Sequence, residues 1–350
     1  MTSVTYSNKS IHDLVYGTTW IAWLQVISIM LINSAVSLMW LSASSTPSAA
    51  SEWLGINLTQ LNWLSNVSAI INTFFSLVTG WSYQQFGIKA NIIFAGVINL
   101  IGCWIRYIAI VTPQQHRYTV VMIGQAIASI GGAFVYNISA KVASVWFAPK
   151  DRAVANTLST LSFGMALAPI LIPLIAPTAD QVPTMFLMVA IISTAAAVPS
   201  VFLPGIPRIP SSPSADQDRM SIVEGMRVLI RHKGFWWCSI LCGTNAGMAF
   251  SVSTLIIEAI SPFGYTDQQA GYCAAAVVLA GFVGGIVSGY WAGKTAQHVM
   301  LIKLLTPCMV FTYHIVIPSA FSVVMIACVL NGFFAYAIFP LHLEFACESK

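Results

Sequence analysis

Charge is what this sequence has least of: 15 Lys and Arg and 11 Asp and Glu in 350 residues, 7% in all, against roughly 25% in an ordinary soluble domain. With 57% hydrophobic residues, such a chain has too few ionised side chains to cover a folded surface in water. Reactive motifs are also missing. There is no His-x-x-x-His, no pair of aspartates inside an apolar run, and no Gly-x-Ser-x-Gly with plausible partners, which argues against an intramembrane enzyme. A Gly-x-x-x-x-Gly-Lys loop is absent too, so ATP is not expected as a partner; nor are nucleic acid, a metal or any other cofactor. Cysteine is sparse, with no metal-type spacing except Cys238 to Cys242, one helical turn apart: Cys103, Cys238, Cys242, Cys273, Cys308, Cys328 and Cys347 lie in or beside apolar runs, as small buried hydrophobes do.

What the chain does have is long apolar runs. They match the roughly 20 helical residues needed to cross about 30 Å of hydrocarbon. In lipid the backbone must satisfy its own hydrogen bonds, so the runs are read as helices. The spans are 18–42, 60–83, 89–111, 118–143, 152–176, 183–204, 234–258, 269–293, 299–317 and 319–341, ten in all. The first is too long for a secretion signal and lacks a small-residue cleavage pattern. An all-α polytopic membrane protein follows, with the lipid bilayer as its solvent.

Orientation is read from the basic residues of the short loops. With the tail 1–17 in the cytosol, Lys89, Lys150, Arg152, Arg208, Arg219, Arg227, Arg231, Lys233 and Lys294 all fall inside. The outer side keeps Arg117, Glu52, Asp180 and Asp267. Asn57-Leu58-Thr59 in the first outer loop is a candidate glycosylation site. The cytosolic interval 205–233 opens rich in Pro and Ser, as linkers are. It ends in a stretch with Ile222, Val223, Met226, Leu229 and Ile230 at helical spacing. A helix lying on the membrane surface and a solvated loop both remain open for it.

The linker divides the spans six and four, into 18–204 and 234–350. Thr79-Gly80-Trp81 and Ser288-Gly289-Tyr290 close spans two and eight, and Asn33 and Asn245 occupy spans one and seven, both pairs at an offset of about 210. A six-helix unit repeated about an axis along the membrane normal is the major facilitator plan, and ten spans are two short of it. The motifs go further. Ala143-Ser144-Val145-Trp146-Phe147 with Pro149, Ser251-Val252-Ser253-Thr254-Leu255 after Gly247, Met39-Trp40, Trp63-Leu64-Ser65 and the closing Pro340-Leu341-x-x-Glu344-Phe345-Ala346-x-Glu348 together resemble the feline leukaemia virus subgroup C receptor (FLVCR) branch of the major facilitator superfamily. The resemblance implies a six-helix N-terminal bundle and an incomplete four-helix C-terminal bundle, with helices eleven and twelve missing after the last motif.

It also implies a transporter of a small organic solute, a choline-like amine, heme or a related metabolite, working by alternating access and expected to act as a monomer. The rival is a non-transporting, receptor-like or remnant membrane protein. In this branch the first-helix tryptophan is one wall of an aromatic cage for a quaternary ammonium, and Trp40 matches it. Phe250 stands at the seventh-helix tyrosine position, keeping the ring face but not the hydroxyl. Gly132 stands where a fourth-helix glutamine is expected.

The remaining candidate lining residues are mid-span polar side chains: Asn33, Gln125, Asn137, Asn245 and Asn331. No ionised residue sits at mid-membrane, which favours facilitated movement over proton coupling. Arg106, Lys141 and Glu258 lie near span ends, where long side chains are expected to reach water, and His314 in span nine reads as structural. For conformational change the candidates are Gly80, Gln84, Gly87 and Lys89 in the second loop and Gly164 and Pro169 in a bent fifth span. Gln84 takes the place of the superfamily's usual acid, and the matching acid after span eight is likewise missing, near Gly293. Gly281, Gly285, Gly289 and Gly293 recur every four residues as a helix-packing stripe.

Overall fold

Runs of Leu, Ile, Val, Ala and Phe with few charges form helices throughout, and no strand occurs among the described residues. The computed structural model describes residues 17–148, 151–160, 162–207, 222–295, 298–313 and 320–348. Its helices are α1 (Trp20–Leu41), α2 (Pro47–Leu54), α3 (Leu58–Gln85), α4 (Gly87–Ile108), α5 (Gln114–Trp146), α6 (Arg152–Thr160), α7 (Phe163–Ile175), α8 (Val182–Phe202), α9 (Ile222–Arg231), α10 (Lys233–Ile260), α11 (Asp267–Thr295), α12 (His298–Tyr313) and α13 (Phe321–Glu348). Nine described stretches are long and apolar enough to cross a membrane, and α12 is a shorter apolar helix whose expected continuation, with His314, lies outside the described residues. Large apolar side chains such as Phe74, Leu77, Trp237 and Phe311 stand exposed, as suits a chain whose solvent is lipid.

Two elements depart from the expected spans. Helix α2 follows α1 after a short turn; Pro47 opens it, and Gly55 at φ 68° ends it, its N–H and that of Ile56 returning to Glu52 and Ser51 carbonyls. The fifth span is two helices, α6 and α7, and the interruption precedes Pro169. It is built by α1. Asn33 Nδ2 donates to the carbonyls of Ser159 (3.3 Å) and Thr160 (3.2 Å), while Ser34 Oγ accepts from the Phe163 N–H (3.0 Å). Two adjacent α1 residues thus cap the end of one helix and the start of the next. A Cβ on Gly164 would overlap the Ser34 carbonyl oxygen, so the close approach needs glycine.

The described residues pack as two compact units. The first takes those of Met1–Trp40, Asn66–Gly164 and Phe186–Met220. There α4 and α5 touch backbone to backbone: a Cβ on Gly102 would meet the Gly124 carbonyl and the Ala128 amide, and one on Gly131 the Ala95 carbonyl. The core around Ile29, Ile32, Ile138, Trp146 and Phe147 closes this unit.

The second unit takes the described residues of Leu41–Ser65, Met165–Met185 and Ser221–Lys350. There α11 lies along α13, with Gly332 against the Val277 carbonyl and Gly284 against that of Phe333. Of the expected glycine stripe, Gly281 packs on Tyr336, its ideal Cβ 2.6 Å from Cδ2. Gly285 makes an ordinary contact and Gly289 meets nothing, while the surroundings of Gly293 lie outside the described residues. Gly284, one position off the four-residue repeat, makes the tight contact instead. Of the linker, residues 208–221 are outside the description, and the stretch expected as helix or loop is helix α9.

Candidate functional site

The C-terminal end of α1 carries Trp40, half-buried, between two carbonyls that are both held. The Leu41 carbonyl accepts from the Ser45 amide (2.9 Å), the Ser45 hydroxyl (2.8 Å) and the Ser44 hydroxyl (3.2 Å). The Met39 carbonyl accepts from Arg106 Nη1 at 3.0 Å. Arg106 was expected to reach water and instead is 1% exposed, its guanidinium 4.8 Å from the centroid of the buried Phe186 ring. Gly124 makes this burial possible. A Cβ there would lie 2.7 Å from Arg106 Cγ, so the arginine stem occupies the space a side chain on α5 would take.

A ladder of neutral polar groups joins α3 and α5. Gln125 Nε2 (3.0 Å) and Ser129 Oγ (2.8 Å) both donate to the Ser68 hydroxyl, and Asn137 Nδ2 donates to Ser76 Oγ (2.8 Å) and the Ala133 carbonyl (2.9 Å). Between these rungs Gly132 faces Asn72, whose Oδ1 lies 2.9 Å from where a Cβ would stand. The Asn72 carboxamide thus occupies space beside the position where the resemblance expects glutamine. One turn on, the Tyr136 and Ser37 hydroxyls lie 3.4 Å apart.

In the second unit Asn245 Nδ2 donates to the Ala335 carbonyl (3.2 Å) and Asn331 Nδ2 to Thr312 Oγ1 (2.9 Å), and Phe250 is exposed. Segments remote in sequence meet here. Asn62 of α3 donates to the Glu258 carboxylate of α10 at 2.8 Å, Ser48 of α2 donates to Asp267 at the start of α11, and Thr46 donates to the Ala176 carbonyl at 3.0 Å. Glu258, expected to extend into water, is therefore held by a neighbouring helix.

At the second loop, Gly87 adopts φ 74° and turns α3 directly into α4. Asn91 secures the turn: its Nδ2 donates to the Gly87 (2.6 Å) and Ser82 (3.1 Å) carbonyls, and its Oδ1 accepts from the Ser82 hydroxyl (2.6 Å). Gly80 is half-buried in α3, Gln84 is exposed, and Lys89 packs against Gly205, whose ideal Cβ lies 3.2 Å from Lys89 Cβ. Asn91 was not singled out from sequence; its place four residues after the glycine was the available signal. Asn57 caps α3, trading bonds with Gln60: Oδ1 accepts from the Gln60 amide (2.8 Å) and Gln60 Oε1 from the Asn57 amide (3.2 Å). Among the described residues no cluster of His, Cys, Asp or Glu suits a metal ion.

Membrane-length helices with polar side chains laid between them define a polytopic membrane protein. The chain belongs to the Major Facilitator Superfamily, whose profile matches residues 18–349. Among curated proteins it is 25% identical over 342 residues to solute carrier family 49 member A3 of Danio rerio, covering 93% of this chain and 72% of that one. It is 26% identical over 350 residues to the choline/ethanolamine transporter FLVCR1 of Felis catus, covering 91% of this chain and 61% of that one, so it spans less than two thirds of that relative. Among solved structures, a bacterial homologue of the human lysosomal transporter Spinster, inward-facing and unoccupied, matches at TM-score 0.65 and 13% identity over 94% of this chain and 75% of that one. The D-xylose-proton symporter matches at TM-score 0.60 and 13% identity over 93% and 81%. At these identities the structures speak for the fold.

Proposed function

We propose that the chain moves a small organic cation of the choline and ethanolamine class down its gradient by alternating access. One observation carries this reading: Trp40 is held at the end of α1 between two pinned carbonyls, in a unit whose mid-span polar groups are carboxamides and hydroxyls. An indole face attracts a cation without a counter-charge, and neutral acceptors suit its N–H or O–H donors. The printed activity of the FLVCR1 relative supports the same class. The halves 18–204 and 234–350 then rock about the linker 205–233, with the N-terminus in the cytosol and the monomer as the working unit, and neither ATP nor a chemical reaction takes part. Trp40, Asn33, Gln125 and Asn137 contribute from the first half, and Phe250, Asn245 and Asn331 from the second.

Uptake of labelled choline and ethanolamine into proteoliposomes tests this. Trp40→Ala is expected to reduce uptake about 10-fold and Trp40→Phe about 3-fold, within the range of a desolvated cation–π contact. Uptake of neither solute, or equal uptake by wild type and Trp40→Ala, would overturn the reading.

A further inference from the structure

We propose that Arg106 is a positioning residue: it holds the last turn of α1 so that Trp40 is presented in one orientation to the solute. The inference rests on Trp40 being a wall of the solute site.

The last four carbonyls of a helix have no partner within it and carry the negative end of its dipole. In α1 the Met39 carbonyl is one of these, and Arg106 Nη1 reaches it from α4 at 3.0 Å. The serines of the following turn hold the Leu41 carbonyl. Trp40 is the residue between: the peptide plane on its N-terminal side is held by Arg106, and the plane after Leu41 is held by the serines, which brackets the backbone that sets its Cα–Cβ direction.

The guanidinium is itself fixed by its surroundings. Its Cζ lies over the Phe186 ring of α8, 4.8 Å from the centroid, and its stem lies in the gap left by Gly124 of α5. At 1% exposure it has little room to exchange rotamers. Four helices therefore meet at one side chain, which transmits the packing of α4, α5 and α8 to the end of α1. A solute that meets a pre-set ring loses less freedom on binding than one that must order it. This role belongs to arginine, because lysine offers a point charge without a planar face to stack.

Two measurements test the assignment on the full chain in nanodiscs and proteoliposomes. The first is hydrogen exchange across residues 38–46, expected to speed up about 10-fold in Arg106→Met with residues 60–80 unchanged. Unchanged exchange at 38–46 overturns the proposal. The second is a double-mutant cycle on choline uptake. Arg106→Met is expected to raise KM about 10-fold at near wild-type Vmax, Arg106→Lys to recover part of it, and Arg106→Met to change KM less than about 2-fold on a Trp40→Ala background. Additive effects would overturn the positioning role and leave Trp40 in the site; a silent Trp40→Ala would overturn the site reading itself. If Arg106→Met does not fold, Phe186→Leu, which removes only the stacking ring, takes its place in both measurements with the same expectations at about 3-fold.

Discussion

Gly271 and Gly289 lie on the same helix, yet a methyl group added to each would meet different surroundings. On Gly271 it would overlap the Pro169 carbonyl oxygen; on Gly289 it would meet open space. Forcing two helix backbones apart costs about 1–3 kcal/mol. Gly271→Ala is therefore expected to lower the melting temperature of the detergent-solubilised protein by several degrees, and Gly289→Ala to leave it in place. A comparable melting point for the two would contradict the packing described. At this scale the sequence was legible only in part. A glycine every four residues announced close helix packing along α11, but which glycines bear the contact depends on Tyr336 and Phe333 of α13, far along the chain. Arg106 was misplaced for the same reason: its burial depends on Gly124 and Phe186, and neither is near it in sequence.

Among the helices, the fifth span shows what hydropathy does not register. Residues 152–176 read as one apolar run, and an internal proline suggested a bend. The interruption between α6 and α7 comes instead from Asn33 and Ser34, which supply hydrogen bonds the broken backbone would otherwise lack. Removing them has a calculable cost. Asn33→Leu leaves the Ser159 and Thr160 carbonyls without these partners, a loss of about 1–3 kcal/mol, and is expected to lower the melting temperature and speed hydrogen exchange across 156–164. Pro169→Ala should change neither the position of the interruption nor its exchange, since it lies inside the regular part of α7. Helices whose ends are self-contained were read well: α8 and α10 begin within one residue of the expected spans. The break inside the fifth span, which α1 supports, was not.

Over the whole molecule, composition made the class plain, because 57% apolar residues in runs of membrane length leave few other folds. The contacts that join segments distant in the chain were not legible, since Asn62 and Glu258 are 196 residues apart and neither stands out alone. Those contacts predict behaviour. If Asn62 and Glu258 meet only in one state of the transport cycle, replacing both with cysteine and joining them with a short bis-methanethiosulfonate linker should arrest choline uptake, and reduction should restore it. Full uptake by the cross-linked protein would show that this contact does not open. The apolar stretch Gln114–Ser139 of α5 is 26 residues, about 39 Å at 1.5 Å per residue, against a hydrocarbon layer of roughly 30 Å. Its first four residues, Gln114 to Arg117, are polar and suit the headgroup layer, and the remainder spans the hydrocarbon with some tilt, more in a thinner membrane. Because Gly124 and Gly131 bring the α5 backbone against α4, the two helices tilt as one, so the acyl-chain length of the surrounding lipid is expected to set the angle of both.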